Sequence, residues 1–149
     1  MTDQLQATQD DQPMRAERRA KFHPELLHDR VALITGGRSG IGYHIAKLFL
    51  SLGARVIIAS RRADALYAAR DELSEWGEVE AHPCDIRDPA QLESLSDMIK
   101  ARFGELDILI NNAGGQFPTL AEDLSVKGWD AVINNNLNGT FYTTREVAQ

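Results

Sequence analysis

The stretch Val31-Ala32-Leu33-Ile34-Thr35-Gly36-Gly37-Arg38-Ser39-Gly40-Ile41-Gly42 decides the fold. Val31 to Ile34 is a short, uninterrupted apolar run, the pattern of a strand buried on both faces of a parallel sheet. Ile41, Ile45, Leu48, Phe49 and Leu52 then recur at helical spacing, and Gly53 stands where a helix C-cap is expected. Between strand and helix the glycines let the backbone approach a ligand closely. The start of the helix adds free amides and a partial positive charge, which suit a phosphate.

The same alternation continues downstream. Val56 to Ala59 reads as a second strand, and Leu66, Ala69 and Leu73 stripe a second helix ending near Gly77. Val79 to Cys84 reads as a third strand, with Cys84 a small buried residue. Asp88-Pro89 supplies an N-cap and a first-turn proline for a third helix carrying Leu92, Leu95, Ile99 and Phe103 up to Gly104. Leu106 to Ile110 is a fourth strand. A last helix is predicted from near Ser125 to the end, with Trp129 as a packing anchor and Val132, Ile133, Leu137 and Phe141 on one stripe. Strands separated by helices of this length pair in parallel through right-handed crossovers. The expected fold is therefore α/β, a Rossmann-type doubly wound parallel sheet, incomplete at about four strands. Residues 22–149 form its N-terminal part, led in by Phe22 to Leu27, while residues 1–21 are too polar to bury and are expected to be a mobile tail.

Composition narrows the function classes. The chain has 149 residues, and 16 Lys and Arg against 22 Asp and Glu give a net charge of −6, which argues against a nucleic-acid surface. One cysteine closes no intrachain disulfide, so a cytoplasmic location is expected. No apolar run approaches the roughly 20 residues that a membrane span needs. His82, Cys84 and Asp85 are spaced too tightly, across a proline, for a zinc site, and no metal is expected.

Strand, glycine-rich turn and helix in that order point to dinucleotide binding at Thr35, Gly36, Arg38, Ser39, Gly40, Ile41 and Gly42, although a tight structural turn needs glycine as well. A carboxylate at the end of strand two would accept a bond from a ribose 2′-hydroxyl and repel a 2′-phosphate. This chain has Ser60, Arg61 and Arg62 there instead. A hydroxyl and guanidinium groups suit a phosphate, with Arg38 a further contributor, so NADP(H) is favoured over NAD(H). The competing reading is that Arg61 and Arg62 cap the strand at its solvent edge. Asp85, with Ile86 beside it, is placed either to meet the adenine amine or to pair locally with Arg87.

These residues resemble the short-chain dehydrogenase/reductase superfamily from about Leu27 to Gln149. The resemblance rests on the turn from Thr35 to Gly42, on Asp85, on Asn111-Asn112-Ala113-Gly114, and on the Trp129 to Phe141 stretch. It implies that Asn112, Ala113 and Gly114 line the nicotinamide ribose, that Asn111 to Gly114 stabilise the sheet, and that Asn136 is the Asn of an Asn-Ser-Tyr-Lys tetrad. It further implies hydride transfer between nicotinamide and a carbonyl or conjugated double bond. There a Tyr activated by a Lys moves the proton, and a Ser binds the developing oxyanion. Gly115-Gln116-Phe117 and Phe22-x-Pro24 look like the trans-2-enoyl-CoA and 2,4-dienoyl-CoA reductase branch, which would make the small-molecule substrate a fatty acyl thioester. The resemblance also implies a homo-oligomer for the full-length form.

One Tyr-x-x-x-Lys spacing occurs, at Tyr43 and Lys47, but it lies in the first helix and reads as a solvent-facing pair. No Ser, Tyr or Lys of the tetrad is found downstream of Asn136, so the chain is expected to be an N-terminal fragment, inactive alone. The alternative is a catalytically dead nucleotide-binding or interaction module.

Overall fold

The computed structural model describes residues 22–148, and the 1–21 stretch expected to be a tail lies outside the described residues. The order of elements is β1 (Val31–Thr35), α1 (Gly40–Ser51), β2 (Arg55–Ser60), α2 (Ala63–Leu73), β3 (Val79–Pro83), α3 (Pro89–Phe103), β4 (Ile108–Ile110), α4 (Val126–Ile133) and α5 (Gly139–Val147). All strand pairs are parallel, in the order β3-β2-β1-β4, so that Leu33 stands between Ile57 and Leu109. The chain leaves β1 towards β2 on one side and later returns to β1's other side. That reversal opens a crevice beyond the carboxyl ends of β1 and β4.

Alternation along the strands builds two cores. Val31, Leu33, Ile57 and Ala59 meet Leu92, Leu95, Ile99 and Phe103 of α3 on one face. Ile34, Val56, Ile58 and Ala81 meet Ala46 and Leu50 of α1 and Leu66, Ala69 and Leu73 of α2 on the other. Both faces of the sheet are thus covered, which is why the central strands β1 and β2 lack polar alternation, while β3 at the edge carries Glu80 and His82. The helix punctuation follows the sequence signals. Asp88 Oδ1 accepts the Ala90 and Gln91 amides ahead of α3, and Ser125 Oγ accepts the Gly128 amide ahead of α4. Gly53 and Gly104, with φ of 91° and 83°, end α1 and α3. Among the described residues no helix is long and apolar enough to cross a membrane.

Three boundaries differ from the sequence reading. The third strand stops at Pro83, leaving Cys84 one residue beyond it, still buried. The fourth begins at Ile108, because the Asp107 side chain takes the Val31 amide at 2.8 Å where the ladder would otherwise start. The last helix runs unbroken from Val126 to Val147, but not with one period. Asn134–Asn138 forms a wide π turn between α4 and α5, and Trp129, Leu137 and Phe141 are more than half exposed instead of packed. Ile41, expected on the apolar stripe of α1, is 75% exposed and turns to the crevice.

Candidate cofactor-binding site

Thr35, the last residue of β1, is buried, and its hydroxyl ties the two strands that flank the crevice. It accepts the amides of Asn112 at 3.1 Å and Ala113 at 3.0 Å and donates to the Ile110 carbonyl at 3.4 Å. The Asn112 side chain answers by donating to the carbonyls of Thr35 at 2.9 Å and Gly36 at 3.3 Å. Two glycines make room for it. A Cβ on Gly36 (φ 68°) would lie 2.8 Å from Asn112 Nδ2 and 3.0 Å from the Ala113 Cα. One on Gly42 would lie 2.5 Å from Asn112 Nδ2 and 2.6 Å from the Gly36 carbonyl. Asn111 points the other way and donates to Thr144 on α5 at 3.0 Å.

Above this floor lies a cleft of about 320 Å³. Of the residues expected to bind cofactor, Gly36, Arg38, Ser39, Ile41, Ser60, Arg61, Asp85, Ile86, Asn112, Ala113 and Gly114 line it. Thr35, Gly40, Gly42 and Arg62 do not. Thr35 and Gly42 are consumed in the packing beneath, Gly40 opens α1 with φ of 59°, and Arg62 is the exposed N-cap residue of α2. Ala59, Cys84 and Asn135 also line the cleft and were not expected there. Ala59 and Cys84 sit at the carboxyl ends of β2 and β3, so strand position was the signal available for both. Burial pushes the Cys84 thiol up to about 12, with Asp85 and Asp88 adding to the shift, which keeps it a protonated, inert wall of the cleft.

The cleft is charged at its β2 and β3 ends. Among the described residues no hydrogen bond or ion pair engages the guanidinium groups of Arg38 and Arg61. Asp85, by contrast, is gripped by Arg87: Oδ1 accepts Arg87 Nε at 2.9 Å and its amide at 3.0 Å, and Oδ2 accepts Nη2 at 2.6 Å. These bonds hold the Asp85 carboxyl below the usual carboxylate range against the opposing cost of burial. The local pairing with Arg87 is thus present at a residue that also faces the cleft.

Asn136 does not line the cleft. Its side chain clamps Gly115, accepting the amide at 2.9 Å and donating to the carbonyl at 2.8 Å, and so holds the turn that carries Gly114. Tyr43 and Lys47 are not a solvent-facing pair. Tyr43 donates to Glu72 on α2 at 3.1 Å, and the Lys47 ammonium lies 4.6 Å from the Trp76 ring centre. Neither lines the cleft.

His82 lies on β3 beside Ala59 of β2. Burial lowers its pKa, with Glu80 opposing. The unfolded chain therefore binds the proton first. Unfolding free energy is expected to fall as pH drops through about 6.5 and to level off once the folded-state value is passed. Urea melts of wild type and His82→Gln at several pH values between 7.5 and 5 check this. The variant should lose that part of the slope, and an unchanged slope would remove His82 as its source.

The comparisons with known proteins agree with this geometry. The family model described as short chain dehydrogenase matches residues 30–149. The uncharacterised oxidoreductase F53C11.3 of Caenorhabditis elegans is 40% identical over 129 residues, which are 85% of this chain and 41% of that protein. The citronellol catabolism dehydrogenase AtuB of Pseudomonas aeruginosa superimposes with a TM-score of 0.80 at 38% identity, over 85% of this chain and 52% of that one. RhlG of the same organism, solved as an NADP active-site complex, gives 0.80 at 36% identity, over 85% and 50%. The chain spans about half the length of the relatives it matches. A matched model covering the whole alternating region, over a parallel sheet whose glycine turn lines a charged cleft, places the chain in the short chain dehydrogenase family of oxidoreductases.

Proposed function

We propose that the described residues form the cofactor-binding part of an NADP-dependent short-chain oxidoreductase acting on a carbonyl or enoyl substrate. One observation carries the reading: the cleft presents Ser60 and Arg61 at the end of β2, where a carboxylate would favour a free ribose hydroxyl, and Arg38 joins them from the turn between β1 and α1. The residues present fit the group. Gly36 presents bare backbone to the cleft, and α1 begins there with Ser39 and Ile41 on its rim. When bound, NADP(H) supplies or takes up the hydride. The chain's own residues hold it: Arg38, Ser60 and Arg61 the 2′-phosphate, Asp85 and Ile86 the nucleobase, and Asn112 to Gly114 the nicotinamide ribose. Asn136 serves the site by fixing Gly115.

Gly115-Gln116-Phe117 supports the narrower substrate reading, a fatty enoyl thioester. Gly128 on α4 makes room for the Phe117 ring, which a Cβ there would approach to 2.9 Å, and half of Phe117 remains exposed. Fluorescence titration of the chain with NADPH and NADH tests the cofactor reading. Tighter binding of NADPH is expected, and tighter binding of NADH would overturn the phosphate assignment.

A further inference from the structure

We propose that Arg87 is the positioning residue for recognition of a 6-aminopurine at the Asp85 end of the cleft, an inference that rests on the cofactor reading above. Arg87 does not line the cleft, while Asp85 does. A carboxylate offers about four acceptor directions, two on each oxygen. Arg87 fills both on Oδ1, with its amide at 3.0 Å and Nε at 2.9 Å, and one on Oδ2, with Nη2 at 2.6 Å. One acceptor direction remains, on Oδ2. The backbone behind it is held too. The Asp85 amide donates to Gln91 Oε1 at 2.9 Å, and Gln91 Nε2 donates to Asp88 Oδ2 at 2.8 Å, so the loop is tied to the first turn of α3. Ile86 is buried, and a Cβ on Gly139 would come within 2.7 Å of its Cδ1.

This arrangement does more than stabilise a loop. A bidentate fork fixes the plane of the carboxylate, which a single point contact would leave free to rotate. With three directions filled, Asp85 cannot turn to accept from a donor placed elsewhere, and it has no proton to offer. It meets an exocyclic amine and repels a carbonyl oxygen in the same place. Arg87 thus acts on the ligand through Asp85, and its expected signature is base discrimination.

The test uses NADPH and its hypoxanthine counterpart, in which a ring carbonyl replaces the amine. Wild type, Arg87→Ala and Arg87→Lys are titrated with both, and their folding is followed by circular dichroism. Wild type is expected to prefer NADPH by about tenfold, the value of one bond to a charged acceptor. In Arg87→Ala the ratio should fall towards one, chiefly through loss of NADPH affinity, and Arg87→Lys should lie between. An alanine variant that keeps the wild-type ratio, or loses both ligands in equal proportion, would show that Arg87 is structural only and overturn the proposal. If wild type binds NADPH with a ratio near one, this inference fails while the cofactor reading stands. If wild type binds neither ligand, both fail.

Discussion

Thr35→Val is expected to lower the unfolding free energy by about 2–4 kcal/mol, from two amides left without their acceptor at roughly 1–3 kcal/mol each. The substitution keeps the shape of the side chain and the β-branched preference of a strand end, so little is lost in packing. What it removes is the single oxygen that accepts both Asn112 and Ala113. Thr35 itself is 1% exposed, so water has little access to the place its oxygen leaves. Thr35→Ser is the control: it keeps the hydroxyl and loses one buried methyl, worth about 1 kcal/mol. Urea midpoints at constant slope separate the two. A valine variant as stable as the serine variant would mean that the hydroxyl does not hold the strands together.

Arg61→Asp is expected to weaken NADPH binding on the order of 100-fold. A charge-assisted contact to phosphate contributes about 1.5–3 kcal/mol, and a carboxylate in its place adds repulsion. Binding of NADH should change little, because a carboxylate at the end of β2 accepts a ribose hydroxyl. The difference should narrow as salt rises, since Arg61 is exposed and its field is screened over about 10 Å at 0.1 M. Measuring both affinities at two ionic strengths checks all three statements. An unchanged NADPH to NADH ratio would return Arg61 to the solvent edge of its strand.

Fold and site were unequally legible in the sequence. The parallel α/β architecture could be read because β1, β2 and β4 are closed apolar runs and the helices between the strands carry their own stripes and punctuation, from Asp88 and Ser125 to Gly53 and Gly104. These are local signals. The roles of Thr35 and Asn112 were not local. They depend on partners more than 70 residues away, so Thr35 read as a cofactor contact when it is the bolt beneath the floor. Arg62 failed for a related reason: adjacent charges at a strand end look alike in sequence, and the entry into α2 turns only Ser60 and Arg61 into the lining. The apolar stripe from Trp129 to Phe141 assumed a constant helical period, and the π turn broke it.

That turn measures a distance. Asn136 grips Gly115, next to Gly114 of the cleft lining, and Gly139, three residues later, lies against Ile86, another lining residue. Thr143, on the helix α5 that packs against α3, is fully buried. One residue added or removed between Asn136 and Thr143 rotates everything beyond it by about 100°, so no regular helix of another length satisfies all three contacts. The asparagine run therefore fixes the spacing between the turn at Gly115 and Ile86 in the cleft lining. Asn136 keeps that spacing by bonding the Gly115 backbone through both atoms of its amide, while Asn138 donates to Asn134 within the run.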